Sequence, residues 1–201
     1  MTSAAGVTVG GMTEASPRGP ASLALVLGAS AVETATAILP HSHRAVQVPV
    51  YVRHETAWPD QLPREFGVIP NKRAFVLDGV PYFPELMIVR LLERGGWGAA
   101  WRKSWNGDAY WRDVNVTVQP GALALTIVDQ ISRQAGYAGS WDILAWRGRE
   151  LRLLSSRMAG GQRVSAFMAD WLGAALRMGI PLGCFAVVEH HTPARPTARR
   201  R

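Results

Sequence analysis

Residues 141–155 have the sequence WDILAWRGRELRLLS, and this stretch decides the fold prediction. An apolar run at 141–146 is followed by the charged tetrapeptide RGRE at 147–150, and a second apolar run occupies 151–155. Two apolar runs joined by a short loop that contains glycine are typical of a β-hairpin. We therefore expect two antiparallel strands with a tight turn between them.

Helical periodicity surrounds this hairpin on both sides. Pro84 and Glu85 suit the first turn of a helix, and Gly95 and Gly96 are residues that end one. Apolar residues at helical spacing predict helices elsewhere, and a further apolar run predicts a last strand. The predicted elements are helices at 84–94, 123–135 and 164–175 and a strand at 184–189. Together they predict an α/β fold in which a mixed sheet with a β-hairpin is flanked by helices.

The chain divides by composition into four segments. Residues 1–21 are rich in small residues and proline and are predicted to form a flexible leader. Residues 22–78 are rich in proline, so we expect an irregular N-terminal region of uncertain fold, with short extended pieces at 46–52 and 74–77. The folded domain is expected at 79–191, and residues 192–201 form a basic tail that we expect to be disordered.

Composition excludes several classes of protein. An apolar fraction of 48% and a charged fraction of 18% exclude a chain that is disordered throughout, a collagen and a coiled coil. The single cysteine, Cys184, excludes a protein stabilised by intrachain disulfides. The apolar stretch at 23–39 is short for a membrane span and contains Glu33, so we expect no membrane partner and a cytoplasmic location.

The net charge is +7, with 22 basic and 15 acidic residues, and the excess lies in the second half of the chain. A basic surface suits a polyanion, and DNA is the partner that we expect. Three arginines around the hairpin and the following loop are candidate phosphate contacts, namely Arg147, Arg149 and Arg163. A protein partner or a homodimer stays open as an alternative.

A series of short motifs points to a known family. In chain order the motifs are Pro84-Glu85-Leu86, Gly96-Trp97, Tyr110-Trp111, the string WDILAW at 141–146, Trp171-Leu172 and Val187-Val188-Glu189. This series resembles the VRR-NUC family of the PD-(D/E)XK nuclease superfamily over about residues 83–190. The resemblance implies a restriction-endonuclease-like core and metal-dependent hydrolysis of phosphodiesters in DNA.

The resemblance also implies which residues carry the chemistry. A Glu on the first helix matches Glu85, and an Asp at a strand start matches Asp142. These two carboxylates would hold Mg²⁺ or Mn²⁺, which prefer oxygen ligands. The Glu and Lys of the family's E-x-K motif fall at Ser155 and Arg157. In such nucleases the Glu binds the metal and the Lys orients or activates the attacking water.

Both replacements weaken the expected chemistry. Ser155 removes a metal-binding negative charge, and Arg157 stays protonated, so it can clamp a phosphate but cannot act as a base. We therefore expect a DNA-handling protein that is weakly active or inactive as a nuclease. Two alternatives stay open: an active nuclease in which Glu150 or Asp170 replaces the lost Glu, and a non-catalytic protein-interaction module.

Overall fold

The computed structural model describes residues 20–63, 72–102, 109–137, 141–161 and 163–193. Within them the helices are α1 (Pro20–Leu27), α2 (Pro84–Arg94), α3 (Ala122–Ala135) and α4 (Ala166–Arg177), with a short 3₁₀ turn at Leu182–Cys184. The strands are β1 (Ala31–Ile38), β2 (Ala45–His54), β3 (Phe75–Leu77), β4 (Val80–Tyr82), β5 (Gly98–Arg102), β6 (Tyr110–Asp113), β7 (Val116–Thr117), β8 (Ile143–Arg147), β9 (Glu150–Met158) and β10 (Phe185–His191).

Eight of these strands form one mixed sheet in the order β1-β2-β10-β9-β8-β5-β6-β7, and β3 and β4 form a separate two-stranded ribbon. Strands β2, β10 and β9 are parallel, whereas the remaining neighbours in the sheet are antiparallel. Helix α4 joins the parallel strands β9 and β10, which is the crossover that parallel neighbours require. The predicted α/β class, with a mixed sheet flanked by helices, is confirmed.

The hairpin is present. Strand β8 begins two residues later and ends one residue later than predicted, and β9 begins one residue earlier and ends three residues later. Strands β8 and β9 pair antiparallel from Ile143↔Leu154 to Arg147↔Glu150. Gly148 lies in the turn with φ of 58°, a left-handed conformation that glycine adopts without steric cost. Helices α2, α3 and α4 also begin or end within two residues of the predicted positions.

The expectation of an irregular region at 22–78 is wrong for residues 31–54 as a whole, although the extended piece expected at 46–52 is present within β2. These residues form β1 and β2, which extend the same sheet as the hairpin. Pro49 was the misleading signal, because proline is rare in the middle of a sheet. The Leu39 N–H donates to the Arg44 carbonyl, so these two residues form a hydrogen-bonded pair. Hydrogen-bonded and non-hydrogen-bonded pairs alternate along an antiparallel ladder, so the hydrogen-bonded pairs fall on odd residues of β1. Thr34↔Pro49 is therefore a non-hydrogen-bonded pair. The ladder between β2 and β10 begins at Val50, so Pro49 lies just before the first paired residue of this ladder.

Helices cover both faces of the sheet. Helices α3 and α4 bury Ile131, Trp171 and Leu172 against one face, and helices α1 and α2 bury Leu27 and Leu92 against the other. Each such side chain contributes about 1.5–3 kcal/mol relative to leaving it in water. Helices packed on both faces hold the strands of the sheet in place. The ends of these strands carry the polar residues described below.

The two predicted terminal segments lie outside the described residues, except for residues 20–21 at the start of α1 and residues 192–193 after β10. No helix among the described ranges is long and apolar enough to cross a membrane.

Candidate functional site

Buried polar side chains gather at one edge of the sheet, where the parallel strands β2, β9 and β10 approach their carboxyl ends. In the part of the chain that is described, the buried polar or charged residues are Arg53, Glu55, Ser155, Glu189 and His190. All five lie in the second half of these strands or directly after them. Burying polar groups is costly, and open α/β sheets bind ligands beyond the carboxyl ends of their strands. We call this region the carboxyl edge and treat it as the candidate site.

Asp142 and Ser155 lie opposite each other at this edge. Asp142 directly precedes β8, and continuing the register of Ile143 and Leu154 by one residue pairs it with Ser155. The Ser155 hydroxyl donates to Asp142 Oδ2 over 2.9 Å. The Asp142 carbonyl accepts a hydrogen bond of 2.7 Å from the Arg102 N–H, which ties the start of β8 to the end of β5. At the position where the resemblance implies a metal-binding Glu, the structure therefore has a hydroxyl that donates a hydrogen bond to Asp142.

The environment of Asp142 disfavours its ionised form. Burial raises the pKa of the Asp142 carboxyl from 3.8 to about 6, and the negative charge of Glu85 adds to that rise. The Ser155 hydroxyl, the Ser156 backbone N–H and the positive charge of Lys72 oppose it. An acid whose pKa lies near neutrality is characteristic of functional sites, because both protonation states are accessible there.

Glu85 lies in the first turn of α2, where the sequence predicts it. Lys72 Nζ lies 3.0 Å from Glu85 Oε1 and 2.9 Å from Glu85 Oε2. The same ammonium stands 4.2 Å from the centroid of the Trp101 ring and 5.4 Å from that of Phe83. A cation on an aromatic face is attracted by the ring quadrupole, so Lys72 is held in place from two sides.

Arg157 does not contact Asp142 in the described structure. It lies two residues beyond Ser155, on the same face of β9, and its Nε donates to Glu189 Oε2 over 2.7 Å. The other oxygen of Glu189 lies 2.8 Å from His191 Nε2, and the His191 ring lies 5.5 Å from that of His54. The guanidinium of Arg157 therefore forms an ion pair with a carboxylate of β10, and this pairing makes it less available to bind a phosphate.

A second polar group lies on the opposite face of the carboxyl edge. Arg53 Nε donates to Glu55 Oε1 over 2.6 Å, and His190 Nδ1 lies 3.0 Å from the same oxygen. Burial opposes ionisation of Glu55, but the hydrogen bonds and charges of His190 and Arg53 hold its pKa below the usual value. The His190 ring is fully buried and lies 5.2 Å from the ring of Phe75.

The three candidate phosphate contacts are not brought together. Arg147 pairs with Glu150 at 3.1 Å and lies 4.3 Å from the Trp97 ring centroid. Arg147 and Arg149 lie at the turn end of the hairpin, and β8 separates them from Asp142 by five residues, or about 17 Å. Arg163 is exposed and lies at the carboxyl edge, where its carbonyl accepts a 3.5 Å hydrogen bond from Arg157.

Neither acid that was considered as a replacement ligand contacts Asp142. Glu150 pairs with Arg147 at the far end of the hairpin. Asp170 lies on α4, 3.6 Å from His41 Nε2. The described residues therefore offer Asp142 neither of these carboxylates as a second ligand.

The residues at the carboxyl edge do not fit a divalent-metal centre. Asp142 is hydrogen-bonded by Ser155, and both oxygens of Glu85 lie within 3.0 Å of the Lys72 ammonium. Across the described ranges, no group of three or more His, Cys, Asp or Glu residues is arranged to hold a metal ion. The expected Mg²⁺ or Mn²⁺ would have to displace an ammonium from one of its two carboxylates.

Sequence reasoning missed Lys72, Glu189 and the Arg53–Glu55 pair. Lys72 follows a proline-rich stretch and belongs to no motif, and its partner Glu85 is 13 residues away. Glu189 appears in the Val187-Val188-Glu189 motif, but the sequence reasoning gives it no role. It directly follows an apolar run, and that signal could have identified it, because a charge at such a position needs a partner.

Comparison of the chain with known protein families, with curated proteins and with solved structures found no match. The assignment of function therefore depends on the residues and on the geometry of the carboxyl edge.

Proposed function

We propose that this protein handles DNA through a restriction-endonuclease-like core whose capacity for metal-dependent phosphodiester hydrolysis is weak or lost. The observation that carries the proposal is the hydrogen bond between Ser155 and Asp142. It occupies the position at which the VRR-NUC resemblance expects a pair of carboxylates on one metal ion. Two carboxylates with no metal between them would repel, whereas a hydroxyl and a carboxylate stabilise each other.

The arrangement of the elements supports the core assignment. A helix with an acidic first turn, α2, leads into β5, and the hairpin β8–β9 follows after α3. Asp142 precedes β8, and positions 155 and 157 lie on one face of the adjacent strand β9. Helix α4 then returns the chain to β10, parallel to β9. These are the chain positions at which the resemblance expects the helix Glu, the metal-binding Asp and the E-x-K pair.

Charge explains why catalysis would be weak. Asp142 and Glu85 supply two negative charges, and Lys72 neutralises one of them, which leaves the pair with a net charge of −1. Mg²⁺ loses its water shell reluctantly and gains little from so small a charge. Lys72 does supply an ammonium beside the site, which a phosphate could contact in place of Glu85.

Binding of DNA is supported by the charge of +7 and by the exposed arginines Arg149 and Arg163. No hydrogen bond or ion pair engages the guanidinium of either residue within the described part of the chain. Free cations on the surface release counterions from DNA, and the resulting affinity falls as salt rises.

The test is a cleavage and binding assay on the full chain with branched, single-stranded and duplex DNA, in Mg²⁺ or Mn²⁺. We expect the wild type to bind DNA with a strong salt dependence and to cut none of the substrates. A double variant, Ser155→Glu with Arg157→Lys, is expected to cut in a metal-dependent manner. Its cleavage should disappear when Asp142→Ala is added.

The matched control uses Ser156→Glu with Arg157→Lys, because residue 156 lies on the other face of β9 and its side chain points away from Asp142. Metal-dependent cleavage by the wild type that Asp142→Ala abolishes would refute the inactive assignment. A wild type that binds no DNA at low salt would refute the DNA-handling function itself. Circular dichroism of each variant establishes that it is folded.

A further inference from the structure

A cavity of about 630 Å³ opens beside the carboxyl edge, where the chain leaves β2 and β10. Its walls come from the segment after β2, from the segment before β3 and from the residues after β10. The lining residues are Ala57, Trp58, Asp60, Leu62, Lys72, Arg73, Ala74, Thr192 and Pro193. Lys72 belongs both to this cavity and to the ion pair with Glu85. Lys72 therefore links the cavity to Glu85.

Backbone hydrogen bonds hold the cavity walls in place. The Trp58 N–H donates to the Ala74 carbonyl over 2.9 Å, and the Val76 N–H donates to the Thr56 carbonyl over 2.8 Å. The Trp58 indole N–H also donates to the Gln61 carbonyl over 3.3 Å, which fixes the orientation of the ring. A preorganised wall loses little conformational entropy when a ligand binds.

The lining combines an aromatic face with an excess of positive charge. Trp58 is half-buried, whereas Arg73 is exposed and its guanidinium has no ion pair among the residues that the structure describes. Lys72 adds a second cation and Asp60 one anion, so the lining carries a net charge of +1. An indole face lies beside the free cation Arg73 and the ion-paired cation Lys72. This combination matches a nucleotide, which has a flat base at one end and a phosphate at the other.

We propose that this cavity binds one unpaired nucleotide of a DNA strand, with its base on Trp58 and its phosphate on Arg73 and Lys72. The inference rests on the proposed function and gives it a substrate class: DNA with an unpaired or displaced base next to the carboxyl edge. A cavity of this size has room for one nucleotide. A base must leave its duplex stack to enter it, which costs least where the DNA is already single-stranded.

The test measures fluorescence anisotropy of a labelled oligo(dA) strand and of a duplex of the same length, with the full chain at several salt concentrations. We expect Trp58→Ala to weaken binding of the single strand by roughly 5- to 150-fold, which is the loss that removing one base–aromatic stack produces. Binding of the duplex should change little. Trp58→Phe, which keeps an aromatic face, should restore most of the affinity for the single strand.

Arg73→Ala is expected to weaken binding of the single strand and to reduce its salt slope by about one. Two matched controls remove an exposed aromatic residue and an exposed arginine elsewhere. Phe167 lies on α4 with 71% of its surface exposed, and Arg44 is exposed in the turn before β2, at the far end of that strand. Phe167→Ala and Arg44→Ala should leave the preference for the single strand unchanged.

The results separate the two proposals. A wild type that binds neither DNA form refutes the proposed function. A wild type that binds DNA while Trp58→Ala behaves like Phe167→Ala refutes only the cavity assignment. Competition with free dAMP distinguishes a nucleotide within a DNA strand from a free mononucleotide. If dAMP displaces the oligomer at equal concentration, the cavity binds a free mononucleotide and the assignment to a DNA strand is wrong. Weak competition by dAMP, together with the Trp58→Ala loss, supports the proposal.

Discussion

Replacing Asp142 by asparagine should stabilise the protein at neutral and alkaline pH. Burial raises the pKa of the Asp142 carboxyl from 3.8 to about 6 in the folded chain. A pKa difference of about two corresponds to about 3 kcal/mol at pH values above both pKa values. The side chain keeps some contact with water, so we expect a gain of about 1–3 kcal/mol in the free energy of unfolding. Asparagine has the same shape, and the Ser155 hydroxyl can still bond its amide.

The pH dependence follows from the direction of this shift. Between about pH 4 and pH 6 the folded wild type holds a proton on Asp142 that the unfolded chain has already released. The free energy of unfolding therefore falls as pH rises through this range and changes no further on this account above pH 7. The Asp142→Asn variant lacks this loss. The two proteins should be equally stable near pH 4 and should diverge up to pH 7.

Urea denaturation at a series of pH values, followed by tryptophan fluorescence, measures this difference. Asp129→Asn is the matched control, because Asp129 is an exposed carboxylate on α3 and its replacement should change stability by less than about 0.5 kcal/mol. An Asp142→Asn variant that is less stable than the wild type at pH 8 would refute the reasoning. A gain that is the same at pH 4 and pH 8 would show that it does not arise from the carboxylate charge.

Two further predictions concern stability. Glu55→Gln leaves the Arg53 guanidinium without its counter-charge and should cost about 3–5 kcal/mol in a urea melt at pH 7. Because the pKa of Glu55 is lowered, this stabilisation exists above its ordinary value of 4.5 and is lost as pH falls through the folded pKa, so the difference from the wild type should shrink near pH 3. Gly98→Ala places a Cβ 2.4 Å from the Trp146 ring and should lower stability by about 1–3 kcal/mol, whereas a Cβ at Gly183 meets nothing within 4 Å and Gly183→Ala serves as the neutral control. Equal melting temperatures for these two alanine variants would contradict the packing described at β5.

The hairpin and the helices of the second half could be predicted because their signals are local. The period-2 and period-3.6 patterns, the turn at Gly148 and the proline at the start of α2 act within a few residues of themselves. Strand β1 could not be recognised in the same way, because Glu33, Thr34 and Thr36 interrupt its apolar residues. Strand β2 could be recognised only as an extended piece at 46–52. Whether Pro49 is tolerated within it depends on which neighbour its backbone faces, which is a property of the assembled sheet.

The candidate site also has a part that the sequence predicts and a part that only the structure shows. The resemblance named Asp142, Glu85, Ser155 and Arg157, and the structure brings Asp142 and Ser155 into contact at 2.9 Å. It also engages Arg157 with Glu189, a residue 32 positions away, which no motif predicted.

By itself the sequence determined that this chain forms helices around a β-hairpin and that it carries a net charge of +7. It also determined that Ser155 and Arg157 stand where the resemblance implies Glu and Lys. Only the tertiary structure decided which charges meet. Lys72 reaches Glu85, and the cavity beside Trp58 forms, because β2 and β10 end side by side. The sequence specifies which side chains are present. The electrostatic field and the cavity at a site depend on contacts between residues far apart in sequence, and these contacts exist only after the sheet has assembled.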